Sequence, residues 1–366
     1  MPRTRLSFFA FIGALARREL RDLVRINPSD RPWELPFAVA MAAGLPLLVG
    51  AWFGDISYAA LASIGGMTIV YVPRTTLDHR MVTVMAVAFG LIACFALGQM
   101  SQFVPVARAP IIALVAMIVT MACRYYRVAP PGSLFFVMAA AIGAYTAAGV
   151  TDASARLGVF ALGTIGAVAV TFLYNIHILR FRDPLPTPKP PDDLLDFVLI
   201  DSLIIGLFVG LSLGAAQILG IERPYWAPVS CLAVIQGVDL RAVWNRKTHR
   251  IIGTMIGLAV TWGLARYAAD PWIIAIAITV LTFCIETAIV RHYAFAAIFI
   301  TPVAILLAEA STLGHSSSSA LILARFADTV IGAVIGLAGG ACIHSNAPRR
   351  ILRRLLRAPT VDRADG

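Results

Sequence analysis

The chain is a succession of apolar blocks separated by short polar runs, most of them close to the length a helix needs to cross a hydrocarbon core. A crossing helix presents about 20 mainly apolar residues, within a range of about 17–25. The blocks stand at 35–53, 57–73, 82–100, 109–123, 133–149, 157–178, 197–219, 225–238, 251–267, 271–287, 293–309 and 322–343. In lipid, backbone groups must be satisfied within the segment, so the series predicts an all-α integral membrane protein of about twelve transmembrane helices. The shortest blocks either borrow interfacial residues or do not cross cleanly. Composition agrees, with 59% hydrophobic residues and only 14% charged, against about 25% charged in soluble domains.

The net charge of +10 does not signal nucleic acid. Lys and Arg sit in short runs between apolar blocks, where basic cytoplasmic loops are expected. Counted on alternate sides of twelve spans, Arg108, Arg156, Arg223, Arg266 and Arg325 fall on one side, and the other 25 of the 30 fall opposite. That bias predicts both termini in the cytoplasm of a bacterial inner membrane. The first strongly apolar block begins near Trp33, behind seven arginines, which does not suit a cleaved leader. Residues 8–24 and 349–357 (RRILRRLLR) mix apolar and basic residues. They read either as amphipathic helices on an anionic inner leaflet, with membrane lipids as partners, or as solvated basic tails. The five cysteines lie singly in apolar blocks, and no His pair has metal-ligand spacing. No cofactor or metal is expected.

The chain reads as duplicated. Arg80 and Arg250 open the third and ninth blocks; Arg156 and Arg325 open the sixth and twelfth, each with a glycine seven residues on, Gly163 and Gly332. Gly54, Tyr58 and Ser63 correspond to Gly220, Tyr225 and Ser230. The organisation expected is a basic arm over 1–34, a six-helix half over 35–180, a Pro-rich linker over 181–196, a second half over 197–343 and a basic tail over 344–366. Six spans per half makes the halves parallel repeats. They either form the functional unit alone or pair as a homodimer.

Short or Gly/Pro-broken spans at matching places in repeats point to a binding region. The second span of each half fits: 58–72 holds Gly65 and Gly66, and 225–238 holds Pro228 and Gly237. Pro228 equally suits a helix start. Ionisable groups within spans need a reason. Arg156 and Arg325 either snorkel to the interface or form a positive lining for an anion. Asp328 lies one turn from Arg325 and suits an ion pair; Arg156 has Val159 in that place, so it pairs elsewhere or meets solvent. Asp201 is either a proton-coupling carboxylate or a group facing a watery vestibule. Glu286 is placed to pair with Arg291 or another arginine. Gln236 suits interhelical hydrogen bonding. Arg80 and Arg250 either set topology and meet lipid phosphate or ring an anion-collecting mouth, and Gly253 with Gly257 allows close packing after Arg250. Tyr225 and Trp226 are candidate stacking surfaces, and Asp328 and Glu286 stand with Asp201 as coupling candidates.

Residues 222–257, ERPYWAPVSCLAVIQGVDLRAVWNRKTHRIIGTMIG, resemble the fusaric acid resistance family of bacterial inner-membrane proteins. The pattern is Tyr225, Trp226, Ala227 and Pro228, then Gln236 and Asp239, then Arg250, Gly253 and Gly257. Arg325, Asp328, Thr329 and Gly332 are similar to its last span, and residues 44–54 resemble it more weakly. The resemblance implies an exporter of aromatic carboxylic acids and related organic anions, driven by a proton gradient or membrane potential. The family is similar in turn to plant aluminium-activated malate channels, which implies passive anion conduction as the alternative. The short linker departs from larger members that carry a cytoplasmic domain between the halves. A major facilitator would show an Asp–basic–Gly inner loop between spans two and three; VPRTTLDHR (residues 72–80) does not match. No nucleophile–base pair or phosphate loop points to an enzyme.

Overall fold

The computed structural model describes residues 28–146, 149–189, 194–221, 224–237, 239–264, 270–308 and 318–345. Among them the chain forms twelve α-helices and no strand. These are α1 (Glu34–Phe53), α2 (Ile56–Gly66), α3 (Leu77–Ser101), α4 (Arg108–Tyr125), α5 (Leu134–Tyr145), α6 (Val150–Ile178), α7 (Asp201–Ile218), α8 (Trp226–Ile235), α9 (Leu240–Leu264), α10 (Pro271–Ala288), α11 (Tyr293–Ala308) and α12 (Ser318–Ile343). A π-turn, Leu194–Ile200, leads into α7. The amphipathic stretches expected at 8–24 and 349–357 lie outside the described residues.

Local chemistry sets several boundaries. Gly54 ends α1 at φ +76°, a left-handed conformation that costs glycine nothing. The Asp55 carboxylate then accepts the Tyr58 N–H at 3.2 Å and caps α2. Asp270 caps α10 by accepting the Trp272 N–H at 2.8 Å, with Pro271 as first helical residue.

Among the described residues seven segments are long and apolar enough to cross a membrane: Glu34–Phe53, Leu77–Ser101, Pro105–Tyr125, Asp152–Ile178, Phe197–Ile218, Pro271–Ala288 and Leu323–Ile343. α3 shows the pattern. Val84, Val87, Leu91 and Phe95 are buried, whereas Val82, Met85, Phe89 and Met100 point outward. A helix apolar on every face has hydrocarbon as its solvent. The chain is a multi-pass helical membrane protein.

The remaining apolar helices are short and recur at every third place: α2, α5, α8 and α11, of 11, 12, 10 and 16 residues. At about 1.5 Å per residue α8 covers about 15 Å, half of a core about 30 Å thick. Each short helix is met by a glycine of a long one. Gly163 of α6 abuts Ala62 of α2, and Gly98 of α3 abuts Ala140 of α5. Gly257 of α9 abuts Ile298 of α11, and Gly332 of α12 abuts Ala227 of α8. At all four a Cβ would collide with a backbone carbonyl oxygen, so glycine lets the backbones close.

The helices sort into two units, each drawing on both sides of the Pro-rich stretch. One comprises the described residues up to Ile69 with Val159–Arg180 and Trp244–Phe326. In it α1 packs on α2 and α10, and α10 packs on α11. Leu47, Ala59, Ile274, Ile278, Val303 and Leu306 lie in its core. The other comprises Val70–Gly158, Phe181–Val243 and the residues from Ala327 on. There α3 packs on α5, α4 on α7, and α8 on α5 and α7. In this second unit the Leu185 N–H donates to Arg74 O at 2.7 Å, tying the stretch after α6 to the connection before α3.

Candidate functional site

Three arginines expected near span ends are turned into the protein rather than out to headgroups. Arg80, Arg250 and Arg325 are 4%, 3% and 3% exposed. Arg80 Nε donates to Thr75 O at 2.6 Å. On α12, Asp328 and Thr329 are buried one turn after Arg325. A charge buried inside a membrane protein is costly and marks a pathway or a structural pair.

The other candidates have defined partners. Asp201, the first residue of α7, accepts from Arg124 Nη1 at 2.8 Å, and the same nitrogen donates to Phe197 O at 2.9 Å. Glu286 pairs with Arg31 at 2.6 Å, not with Arg291. Arg156, which has Val159 where Arg325 has Asp328, pairs elsewhere on its own helix. Its Nε lies 2.7 Å from Asp152 Oδ2, one turn earlier on the same helix. The physical reason is that α6 begins at Val150, seven residues before the apolar block, so the polar stretch carrying Asp152 is already helical.

Gln236 does the interhelical work expected of it. Its Nε2 donates to Ser133 Oγ at 3.0 Å, and Ser133 Oγ lies 2.8 Å from Thr120 Oγ1. This joins the C-terminal ends of α8 and α4 to the start of α5. Tyr71 donates its hydroxyl to Gly132 O at 2.7 Å beside them.

The candidate site lies at the opposite end of the same unit, where α4 and α8 begin and α5 and α7 end. Tyr225 and Trp226 are buried there, with ring centroids 5.6 Å apart. Tyr225 lies 6.0 Å from the ring of Tyr145. The Tyr145 hydroxyl accepts from Gln217 Nε2 at 2.7 Å, which fixes its ring. The Arg108 guanidinium carbon stands over the Tyr145 ring at 4.8 Å. This is cation–π geometry, and it places a positive group beside a ladder of aromatic rings. Arg108, Tyr145 and Gln217 were not among the sequence candidates. Arg108 did carry a signal, as one of five arginines against the charge bias. Among the described residues no three of His, Cys, Asp or Glu are grouped to hold a metal.

Residues 209–339 match the family model described as fusaric acid resistance protein-like. The family segment runs from α7 into α12 and carries Tyr225, Trp226, Gln236, Arg250, Glu286, Arg325 and Asp328. Arg80, Arg108, Tyr145, Arg156 and Asp201 lie outside it. The chain is also 21% identical to the uncharacterized membrane protein YvaC of Bacillus subtilis (strain 168), over 92% of this chain and 77% of that protein. The aligned stretch is 485 residues long against 366 here, so the relative carries inserted segments. No solved structure matches the chain.

Proposed function

We propose that the chain is an efflux transporter for small organic anions, chiefly aromatic carboxylic acids, in a bacterial inner membrane. The observation that carries the reading is Arg325, a buried cation in a membrane-length helix of the segment that matches the fusaric acid resistance-like family. A buried guanidinium attracts an anion and excludes cations. Arg80 and Arg250 are further buried cations, and Tyr225 and Trp226 offer ring surfaces, each within its own unit.

The working arrangement is two parallel six-helix repeats with both termini in the cytoplasm. The short helices at every third place, each crossed by a glycine, support it. Efflux is driven by the proton gradient or the membrane potential. Asp328 takes the coupling role, one turn from Arg325 in the same buried stretch of α12. Asp201 and Glu286 hold Arg124 and Arg31 in place. Basic ends and loops contact anionic lipids of the inner leaflet.

The test is uptake of labelled 4-hydroxybenzoate into inverted vesicles with and without an imposed proton gradient. Accumulation that collapses with an uncoupler, and fails in Arg325→Ala, is the expected result. Equilibration without accumulation would replace the exporter with a passive anion channel. Absence of flux across a panel of organic anions would overturn the reading.

A further inference from the structure

We propose that Arg108, Gln102 and Tyr145 form a binding site for a small planar carboxylate where α4 begins. The inference rests on the anion-transport reading and adds residues outside the family-matched segment.

Helix α4 carries an arginine near each end. Arg108 and Arg124 are 16 residues apart, about 24 Å along the axis. Each guanidinium lies over an aromatic ring of another element, Arg108 over Tyr145 at 4.8 Å and Arg124 over Phe197 at 4.6 Å. Their charge environments differ. Arg124 sits at the helix C-terminus, which favours a cation, and is paired with Asp201 at 2.8 Å. Arg108 is the first residue of α4, where the helix dipole is itself positive. Among the described residues it has no carboxylate within ion-pair distance.

Its hydrogen bonding is equally incomplete. The guanidinium lies within reach of the Tyr145 hydroxyl, Nη2 reaches Gln102 O at 3.5 Å, the limit of a hydrogen bond, and Nε is buried without an acceptor. Gln102 adds a second such donor, because its Nε2 is also buried without an acceptor. A buried donor without a partner costs free energy in the empty protein. Two donors, a cation and a positive helix end are thus gathered with no negative group among the described residues to pair with Arg108. Asp328 makes no ion pair with Arg108.

The rings decide the class of anion. An inorganic anion would use the guanidinium and leave the rings idle. Tyr145 is half-buried, held by Gln217 and backed by Tyr225 and Trp226. A planar carboxylate places its oxygens on the guanidinium fork and its ring beside Tyr145.

The experiment is calorimetric titration of the full chain in neutral-lipid nanodiscs with benzoate, cyclohexanecarboxylate and inorganic phosphate. The wild type is expected to bind benzoate most tightly and phosphate least. Arg108→Gln loses at least tenfold in affinity for both carboxylates. Tyr145→Leu loses the preference for benzoate and keeps cyclohexanecarboxylate within about twofold. The two variants test the site independently, so either one that folds decides it. Wild-type benzoate affinity in Arg108→Gln, or an intact benzoate preference in Tyr145→Leu, overturns the proposal. Vesicle uptake of the same benzoate separates the two readings. Accumulation by the wild type with Arg108-independent binding overturns the site and keeps the transporter. Arg108-dependent binding without flux of any anion in the panel keeps the site and overturns the transporter.

Discussion

Arg31 Nη2 lies 2.6 Å from Glu286 Oε2, and Arg31 Nη1 donates to the Glu286 carbonyl oxygen at 3.1 Å. The two residues are 255 apart in sequence. One guanidinium therefore neutralises a carboxylate near the end of α10 and satisfies one of its last carbonyls, which have no intrahelical donor. Both side chains are nearly shielded, at 12% and 7% exposed. Arg31→Met leaves a buried charge uncompensated and is expected to cost about 3–5 kcal/mol. The double variant Arg31→Met with Glu286→Met removes both charges and recovers most of that loss. Thermal unfolding in detergent of both single variants and the double variant checks this; equal losses in Arg31→Met and the double variant would refute the pairing.

The glycines on α6 make a paired prediction. Gly163 abuts the Ala62 carbonyl, whereas Gly166, less than one turn later, has no other part of the protein within 4 Å of where an alanine methyl would stand. Gly163→Ala forces α2 and α6 apart and is expected to cost about 1–3 kcal/mol. Gly166→Ala relieves backbone entropy and gains about 0.5–1 kcal/mol. Comparing unfolding midpoints of the two variants in one detergent checks both signs.

The fold was largely readable because lipid imposes a length and a composition on every crossing segment. The block at 35–53 became Glu34–Phe53, and that at 271–287 became Pro271–Ala288. Errors arose where helices continue into polar sequence. α9 starts at Leu240, eleven residues before its apolar block, because Asp239 caps it by accepting the Ala242 N–H at 2.7 Å. The same early start, in α6, supplies Asp152 as the partner of Arg156. Partners far apart in the chain left no local trace: Arg124 with Asp201, and Arg31 with Glu286. Tyr145 joined Tyr225 through packing of α5 on α8, which no periodicity within either helix announces.

Asp201 is expected to be structural. Its carboxylate satisfies Arg124, which also bonds to Phe197 O and lies over the Phe197 ring. Asp201→Asn keeps the shape and removes the charge, so it should cost about 1.5–3 kcal/mol of stability. Transport per folded molecule should keep its response to an imposed proton gradient. Vesicle flux normalised to folded protein distinguishes this from a coupling role, in which the gradient response disappears in Asp201→Asn and not in Arg124→Gln.

Orientation and span count are open to one labelling experiment. Val106 lies in the turn between α3 and α4 and is 89% exposed; Asp183, after α6, is also exposed. With twelve crossings and a cytoplasmic N-terminus, these two positions fall on opposite faces of the membrane. In a cysteine-free background, made by replacing Cys94, Cys123, Cys231, Cys284 and Cys342, each position receives a single cysteine. Val106→Cys is expected to react with an impermeant maleimide in intact cells, and Asp183→Cys only after permeabilisation. Reaction of Asp183→Cys alone in intact cells would mean either the inverted orientation or a failure of α2 to cross. Equal reaction of both would mean that the short helix α5 does not carry the chain across, and the count of twelve crossings would fall with it.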